Sequence, residues 1–329
     1  MVFGTESLVI NSIIGLIGII ILMLSAEFVV ANLIKIARHF GVSNTFMGLT
    51  VLSIGTSLPE IGSHLAASIG ILTESLDYKI ASATVLGANI GSDVVQQTFV
   101  LGLVIFLMGS LTFTTAFLKR SYSVMVGTTL MCIILGWDFH YSRLDGAILF
   151  GTFVVYMYYL YKKEQDSPEH TKKVSNNIWL DIFYVICGMI VLLISSSIVL
   201  KIVELIVNKT GVGGSLIGVV TLGVASALPE MITAISGLRQ KATGISLGTL
   251  IGSNITNPLV AIGLGSLIST YYIPRPLIYW DLPMETITAA ALLLWLFMTK
   301  KKLGRWGAVY LMALYFVYLA IRIVYFGVD

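Results

Sequence analysis

The chain has 329 residues, of which 57% are hydrophobic and 11% charged, with a formal net charge of +3. Soluble domains carry roughly 25% charged residues, so this chain lacks the polar side chains needed to cover a water-facing surface; its mean hydropathy is +0.92. Composition therefore excludes a soluble globular domain, gives no basic surface for nucleic acid, and predicts an all-α, polytopic protein whose main partner is the lipid bilayer.

Ten segments are apolar and long enough to span, each span needing roughly 20 residues. They are 8–34, 44–70, 80–108, 121–137, 144–161, 178–206, 212–237, 245–270, 282–299 and 304–326. The first lacks a basic n-region and is followed by further spans, so it reads as a retained helix rather than a cleaved signal. The connector "KKEQDSPEHTKKVSNN", 162–177, has no apolar face. It reads as a flexible link between two five-helix halves, 1–161 and 178–329. Cys132 and Cys187 lie in separate apolar segments and read as small buried hydrophobes. With the N-terminus outside, the loops predicted inside hold fourteen Lys and Arg and the other side holds six, Arg322 among them. That bias predicts both termini outside and the connector in the cytoplasm. The aromatic runs "YMYYLY" (156–161) and "YFVYLAIRIVYF" (315–326) read as interfacial belts.

The sequence repeats itself. Residues 25–60 align without gaps to 195–230, a shift of 170 that places Gly41 on Gly211, Gly48 on Gly218, Pro59 on Pro229 and Glu60 on Glu230. "VLGANIGSD" (85–93) matches "LIGSNITNP" (250–258), with Asn89 on Asn254. Repeat 1 covers about 44–108 and repeat 2 about 212–270. Five helices per half is an odd number, so the halves enter the bilayer from opposite sides. The prediction is an inverted repeat related by a pseudo-two-fold axis in the membrane plane.

In "GTSLPE" (55–60) and "ASALPE" (225–230) a proline precedes a glutamate inside an apolar run. Pro59 has no N–H and deprives the Gly55 carbonyl of its donor. The expected result is a broken helix with the carbonyls of residues 55 to 57 free, tolerable in a bilayer where they line a cavity or meet a cation. A mid-membrane glutamate costs at least a few kcal/mol. Two carboxylates with paired carbonyls make an oxygen-only cage suited to a hard cation, Ca²⁺ in particular, and no Cys or His pair offers a softer site. The alternative is a protonated glutamate in a structural hydrogen bond. Asn89 and Asn254 follow the small residues Ala88 and Ser253, and Ser92 and Asn257 lie three positions further on nearly the same face. Gly87, Gly91, Gly248 and Gly252 read as close helix-packing positions.

These motifs resemble the two α-repeats of the Ca²⁺/cation antiporter superfamily, and within it the sodium/calcium exchangers. "GTSLPE" is similar to the first-repeat signature and "GSNITN" to the element that ends each repeat; the ten-helix layout matches as well. The resemblance implies a secondary active antiporter, not an enzyme, with no cofactor and with Ca²⁺ and Na⁺ as its transported ions. It implies an integral protein of the cell membrane, acting as a monomer by alternating access. It implies that Glu60 and Glu230 bind Ca²⁺ and Na⁺ in competition and that the carbonyls of Thr56 and Ser226 complete the Ca²⁺ site. Ser57 and Ser253 match hydroxyls that help to hold Na⁺, and Ser92 and Asn257 match polar residues at the equator of the site. Three departures bear on Na⁺. Ala227 and Ala88 stand where relatives have serines, and Ser92 replaces an amide or carboxylate while Asp93 follows one position later, about 100° around the helix. Asp93 is a further cation-binding candidate if the helix is rotated or bulged.

Other polar residues in the spans admit two readings each. His64, one turn after Glu60, is a proton partner or a hydrogen-bonded packing residue. Gln96 and Gln97 resemble amides of calcium/proton exchangers but lack counterparts at Ala261 and Ile262. Glu27 lines an ion passage or faces a vestibule. The rivals to Na⁺/Ca²⁺ exchange are H⁺/Ca²⁺ exchange at the same glutamates, a passive cation channel, and an intramembrane enzyme using Ser57 or His64. The symmetric glutamates leave the enzyme without an explanation for half of its polar residues.

Overall fold

A computed structural model describes residues 8–39, 50, 52–164, 178–239 and 243–329. Among them, nine helical spans have the length and apolarity to cross a membrane. They match nine of the ten predicted segments. The other, 44–70, begins outside the described residues, as does nearly all of the 162–177 connector. Its described part is two helices in sequence, α2 (Ser53–Thr56) and α3 (Leu58–Leu72), following α1 (Leu8–His39). Next come α4 (Tyr78–Val95), a π-turn over Gln96–Val100, α5 (Leu101–Met108), β1 (Ser110–Thr112), α6 (Thr115–Phe117), α7 (Ser123–Leu135), β2 (His140–Tyr141) and α8 (Arg143–Glu164).

The second half repeats the series. It runs α9 (Ile178–Thr210), α10 (Gly214–Ile217), a π-turn over Gly218–Leu222, α11 (Gly223–Ser226), α12 (Leu228–Arg239) and α13 (Thr243–Thr256). A π-turn over Asn257–Ile262, α14 (Gly263–Ser269), β3 (Tyr271–Tyr272), α15 (Leu282–Met298), β4 (Lys302–Gly304) and α16 (Arg305–Tyr325) complete it.

The strand pieces show the pseudo-symmetry plainly. β1 and β3 occupy equivalent places in the two halves, as do β2 and β4, and β1 pairs with β4 while β2 pairs with β3, both antiparallel. Each pairing thus joins one half to the other. The reversal before each strand uses a left-handed residue at matching positions: Gly109 (φ 79°) and Thr270 (φ 62°), then Phe139 (φ 64°) and Lys301 (φ 59°). Three of these four are not glycine, so tertiary pairing holds them in a conformation their side chains disfavour.

The core is built on α4 and α13, whose Val85, Leu86, Ile90, Leu250, Ile251 and Ile255 are buried in one continuous cluster. Around it, long helices present apolar faces outward: Leu16, Ile20, Trp179, Ile186 and Leu294 are exposed, as expected where lipid replaces water. α1 and α9 pack along each other, and α9 also rests on α3, where Ser63 and Ser196 hydroxyls meet at 3.4 Å. Cys132 is buried and Cys187 half-buried, both unpaired, in line with packing roles. Arg322 departs from its placement among the outside loop charges. It sits within α16, fully buried, with its Nε 2.8 Å from Asp281 Oδ2.

A candidate cation site between two broken helices

The break between α2 and α3 falls at Ser57 (φ −81°, ψ 5°), and its counterpart at Ala227 separates α11 from α12. The Ser57 N–H donates to Ser53 O at 3.3 Å and the ladder resumes with Ile61 N–H to Ser57 O at 3.0 Å; Ala227 to Gly223 (3.2 Å) and Met231 to Ala227 (3.0 Å) repeat this. The expectation of free carbonyls over 55 to 57 is therefore corrected at two positions. The Gly55 carbonyl accepts a backbone N–H at the C-cap of α2 although Pro59 cannot donate to it, and the Ser57 carbonyl is engaged because the helix re-forms four residues on. Each glutamate lies in the first turn of the helix that starts after the break. There, unsatisfied N–H groups and the positive end of the helix dipole favour a carboxylate.

Each broken helix leans on the other half's unbroken one. α4 packs against α10, α11 and the turn between them, and α13 packs against α2. The first contact is backbone to backbone. A Cβ on Gly91 would stand 2.7 Å from Val219 Cα, and one on Gly218 would stand 2.7 Å from Ala88 N. In the second, Ser53 and Thr256 hydroxyls meet at 3.1 Å. This close crossing brings the two halves' polar residues to one place.

Glu60 is 3% exposed and Glu230 is fully buried. Ser92 Oγ donates to Glu60 Oε1 at 2.8 Å. Glu60 Oε2 and both carboxylate oxygens of Glu230 have no hydrogen-bond partner among the described residues; the same holds for Ser57 Oγ, Asn257 Oδ1 and Asn89 Oδ1. The Thr56 hydroxyl donates to Ser53 O and the Ser226 hydroxyl to Gly223 O, each at 3.3 Å and at matching places in the two halves. Six buried, unused oxygens thus gather around the crossing. An unpaired buried polar group costs about 1–3 kcal/mol, more when charged, so this is an arrangement that a cation would relieve.

A hydrogen-bond network surrounds these oxygens. Ser253 Oγ donates to Gln96 Oε1, which also accepts Asn254 Nδ2 at 2.8 Å. Gln96 Nε2 donates in turn to Ser92 Oγ at 3.0 Å. Asn257 Nδ2 donates to Asp93 Oδ1 at 2.7 Å. α4 is regular through Val95, and its π-turn begins only at Gln96, so Asp93 is not swung by a bulge. Asn257 from the other half reaches to it. His64 takes its packing alternative on one nitrogen: its Nδ1 meets the Tyr271 hydroxyl at 3.1 Å, and Ser68 completes the cluster at 2.9 Å. Three buried acids escaped the reading from sequence. Glu285 accepts Gln97 Nε2 at 3.2 Å, Asp281 holds Arg322, and Asp181 lies 3.9 Å from Lys35 Nζ. The signal was present, as acidic residues in or beside an otherwise apolar span.

Two cavities reach this place. One, of about 20 Å³, room for about one water, is lined by Ile19, Pro59, Ser63, Leu222, Ala225 and Ser226 among others, with Glu60 at its wall. The other, of about 280 Å³, is lined by Glu27, Leu52, Gly55, Thr56, Pro229 and Thr233 among others. The first uses residues after the α2–α3 break and before the α11–α12 break; the second uses the reverse. Shifted by 170 positions, Pro59, Ser63, Leu222, Ala225 and Ser226 become or derive from Pro229, Thr233, Leu52, Gly55 and Thr56. The two broken helices therefore run antiparallel, with a cavity at either end of the glutamate crossing. Glu27, exposed, lines the second cavity.

Comparison with known proteins agrees with this architecture. The model of the family described as sodium/calcium exchanger protein matches residues 11–162 and 180–324. An uncharacterized membrane protein of Methanocaldococcus jannaschii is 28% identical over 93% of this chain and 95% of its own length. The sodium/calcium exchanger MaX1 of Methanosarcina acetivorans is 24% identical over 95% of this chain and 98% of its own. A solved structure of the sodium-calcium exchanger NCX_Mj, soaked with Na⁺ and Ca²⁺, superposes with a TM-score of 0.62 at 26% identity, covering 94% of this chain and 98% of that one.

Proposed function

The chain belongs to the sodium/calcium exchanger family, and on that premise we propose that it exchanges Ca²⁺ for Na⁺ at the crossing of its two broken helices. The observation that carries the reading is the set of three unpartnered, buried carboxylate oxygens on Glu60 and Glu230, with Glu60 at the wall of one cavity and Pro229, next to Glu230, at the wall of the other. Ca²⁺ takes six to eight oxygens with flexible geometry. Glu60 and Glu230 supply its charge-bearing ligands, the carbonyls of Thr56 and Ser226 add neutral ones, and Asn257 Oδ1 stands at the equator. Na⁺ competes for the same carboxylates, with Ser57 as a free hydroxyl. Ser253, whose proton goes to Gln96, keeps its oxygen lone pairs for Na⁺, and Ser92 and Asp93 act through their hydrogen bonds to Glu60 and Asn257.

Alternating access follows from the two cavities. A cation at the glutamates cancels charge that would otherwise face a closed, apolar interior, so loaded states interconvert more readily than the empty one. α1 and α9, packed along each other outside the four site helices, form the unit that slides to open one cavity or the other. The organisation is two five-helix halves, 1–161 and 178–329, joined at 162–177. The protein acts as a monomer in the cell membrane with both termini outside, a reading supported by the Lys and Arg asymmetry of the loops.

The test is ⁴⁵Ca²⁺ uptake into proteoliposomes with Na⁺ and pH gradients imposed separately. Uptake driven by an outward Na⁺ gradient and absent under a pH gradient alone is the expected result. Uptake driven by pH without Na⁺ would replace Na⁺ with H⁺ at the same glutamates.

A further inference from the structure

Beside the central glutamates lies a second pair of buried acids. Asp93, near the end of α4, is 1% exposed, and Glu285, in the first turn of α15, is 2% exposed. The helices that carry them, α4 and α15, pack against each other. Gln97 follows Asp93 by four positions, on the same side of the helix. Its Nε2 donates both to Glu285 Oε1 at 3.2 Å and to Asn254 Oδ1 at 2.8 Å. The Oε1 of that same amide is buried without a partner. No basic side chain neutralises the pair. Among the described residues Arg322 is the one buried Lys or Arg, and Asp281 holds it.

The donor set selects the ion. No group of three or more His, Cys, Asp or Glu is placed to hold a metal among the described residues, which disfavours a transition ion. Two carboxylates and one amide oxygen supply at most about five donors, fewer than the six to eight of Ca²⁺. We propose that Asp93, Glu285 and the Gln97 amide oxygen form a second site that takes one Na⁺, distinct from the Glu60–Glu230 crossing. The site rests on the exchange reading and deepens it. Oxygens missing at Ala88 and Ala227 are replaced by a site one layer away. A continuous hydrogen-bond chain links the two: Glu285 to Gln97, Gln97 to Asn254, Asn254 to Gln96, Gln96 to Ser92 and Ser92 to Glu60.

The experiment compares the parent with Glu285→Gln and Glu285→Asp. Equilibrium ²²Na⁺ binding to purified protein, the Na⁺:Ca²⁺ flux ratio and Ca²⁺/Ca²⁺ self-exchange are measured on each. Glu285→Gln is expected to bind one Na⁺ fewer, to lower the flux ratio, and to raise the Na⁺ concentration for half-maximal exchange on the order of tenfold, the loss of one charged contact. Self-exchange of Ca²⁺ stays within about twofold, since the glutamate crossing is intact, and Glu285→Asp recovers part of the Na⁺ dependence. Unchanged Na⁺ binding and flux ratio overturn the proposal. So does a Glu285-dependent component driven by a pH gradient without Na⁺, which makes the occupant a proton. Loss of Ca²⁺ self-exchange in a variant that keeps the parent's melting temperature also overturns it, by placing Glu285 in the transport site itself. If Glu285→Gln does not fold, Gln97→Met, which removes the amide oxygen at similar volume, must give the same loss of bound Na⁺. A parent without Na⁺-driven uptake would defeat the exchange reading, while ²²Na⁺ binding still decides this one.

Discussion

Glu60 and Glu230 place two buried carboxyl groups where, among the described residues, no buried Lys or Arg lies beside them. Glu60 keeps one hydroxyl partner, Ser92, and Glu230 has none. Replacing either by glutamine keeps the shape and removes the charge that must be buried. Glu60→Gln and Glu230→Gln are therefore expected to lower ⁴⁵Ca²⁺ transport more than about tenfold while leaving the ion-free melting temperature unchanged or higher. Thermal shift with and without Ca²⁺ checks this: the parent is stabilised by bound ion and the variants are not. A variant that melts far below the parent without Ca²⁺ would mark the glutamates as structural. The Asp281–Arg322 pair behaves oppositely. Both groups are buried, and Tyr318 adds a hydrogen bond at 2.5 Å. Asp281→Asn leaves a guanidinium without its counter-ion and should cost about 3 kcal/mol or more, read as a lower melting temperature in detergent with Na⁺ affinity unchanged.

At the scale of elements, a proline and a set of glycines do different work. Pro59 and Pro229 break their helices and place each glutamate in a fresh first turn. Gly91 and Gly218 let α4 and the α10–α11 segment touch through their backbones. A side chain there must push the segments apart, and the cavity between the halves cannot absorb it. Gly91→Val should destabilise by at least about 1–3 kcal/mol and abolish Ca²⁺ binding, because Ser92 sits one residue away. Gly127, in α7, offers the control, since an added Cβ meets nothing within 4 Å; Gly127→Ala should leave melting and transport as they are. The breaks and the packing glycines were legible in sequence, because proline and glycine act through their own covalent structure. The π-turns at Gln96 and Asn257 were not, since no residue type encodes them and they arise where a helix adjusts to its neighbours.

For the whole molecule, the two cavities exchange equivalent residues, so their mouths should open to opposite sides of the membrane. Ser63 lines one and Thr233, its repeat counterpart, lines the other. With Cys132 and Cys187 replaced by alanine, Ser63→Cys and Thr233→Cys should react with a membrane-impermeant thiol reagent from opposite sides of sealed vesicles. Labelling of both from the same side would contradict the inverted arrangement. The sequence by itself determined the membrane setting, the repeat, and the glutamates with their prolines, because hydropathy, self-similarity and the missing proline N–H are local properties of the chain. Tertiary structure decided which oxygens remain free. Ser253 and Ser57 look alike in sequence, yet Gln96 engages the first and nothing engages the second. Asp93 and Glu285 are 192 positions apart and become neighbours only when α4 and α15 pack. Hydrogen-bond commitment and the meeting of distant charges depend on where side chains end in space, and no local pattern carries that.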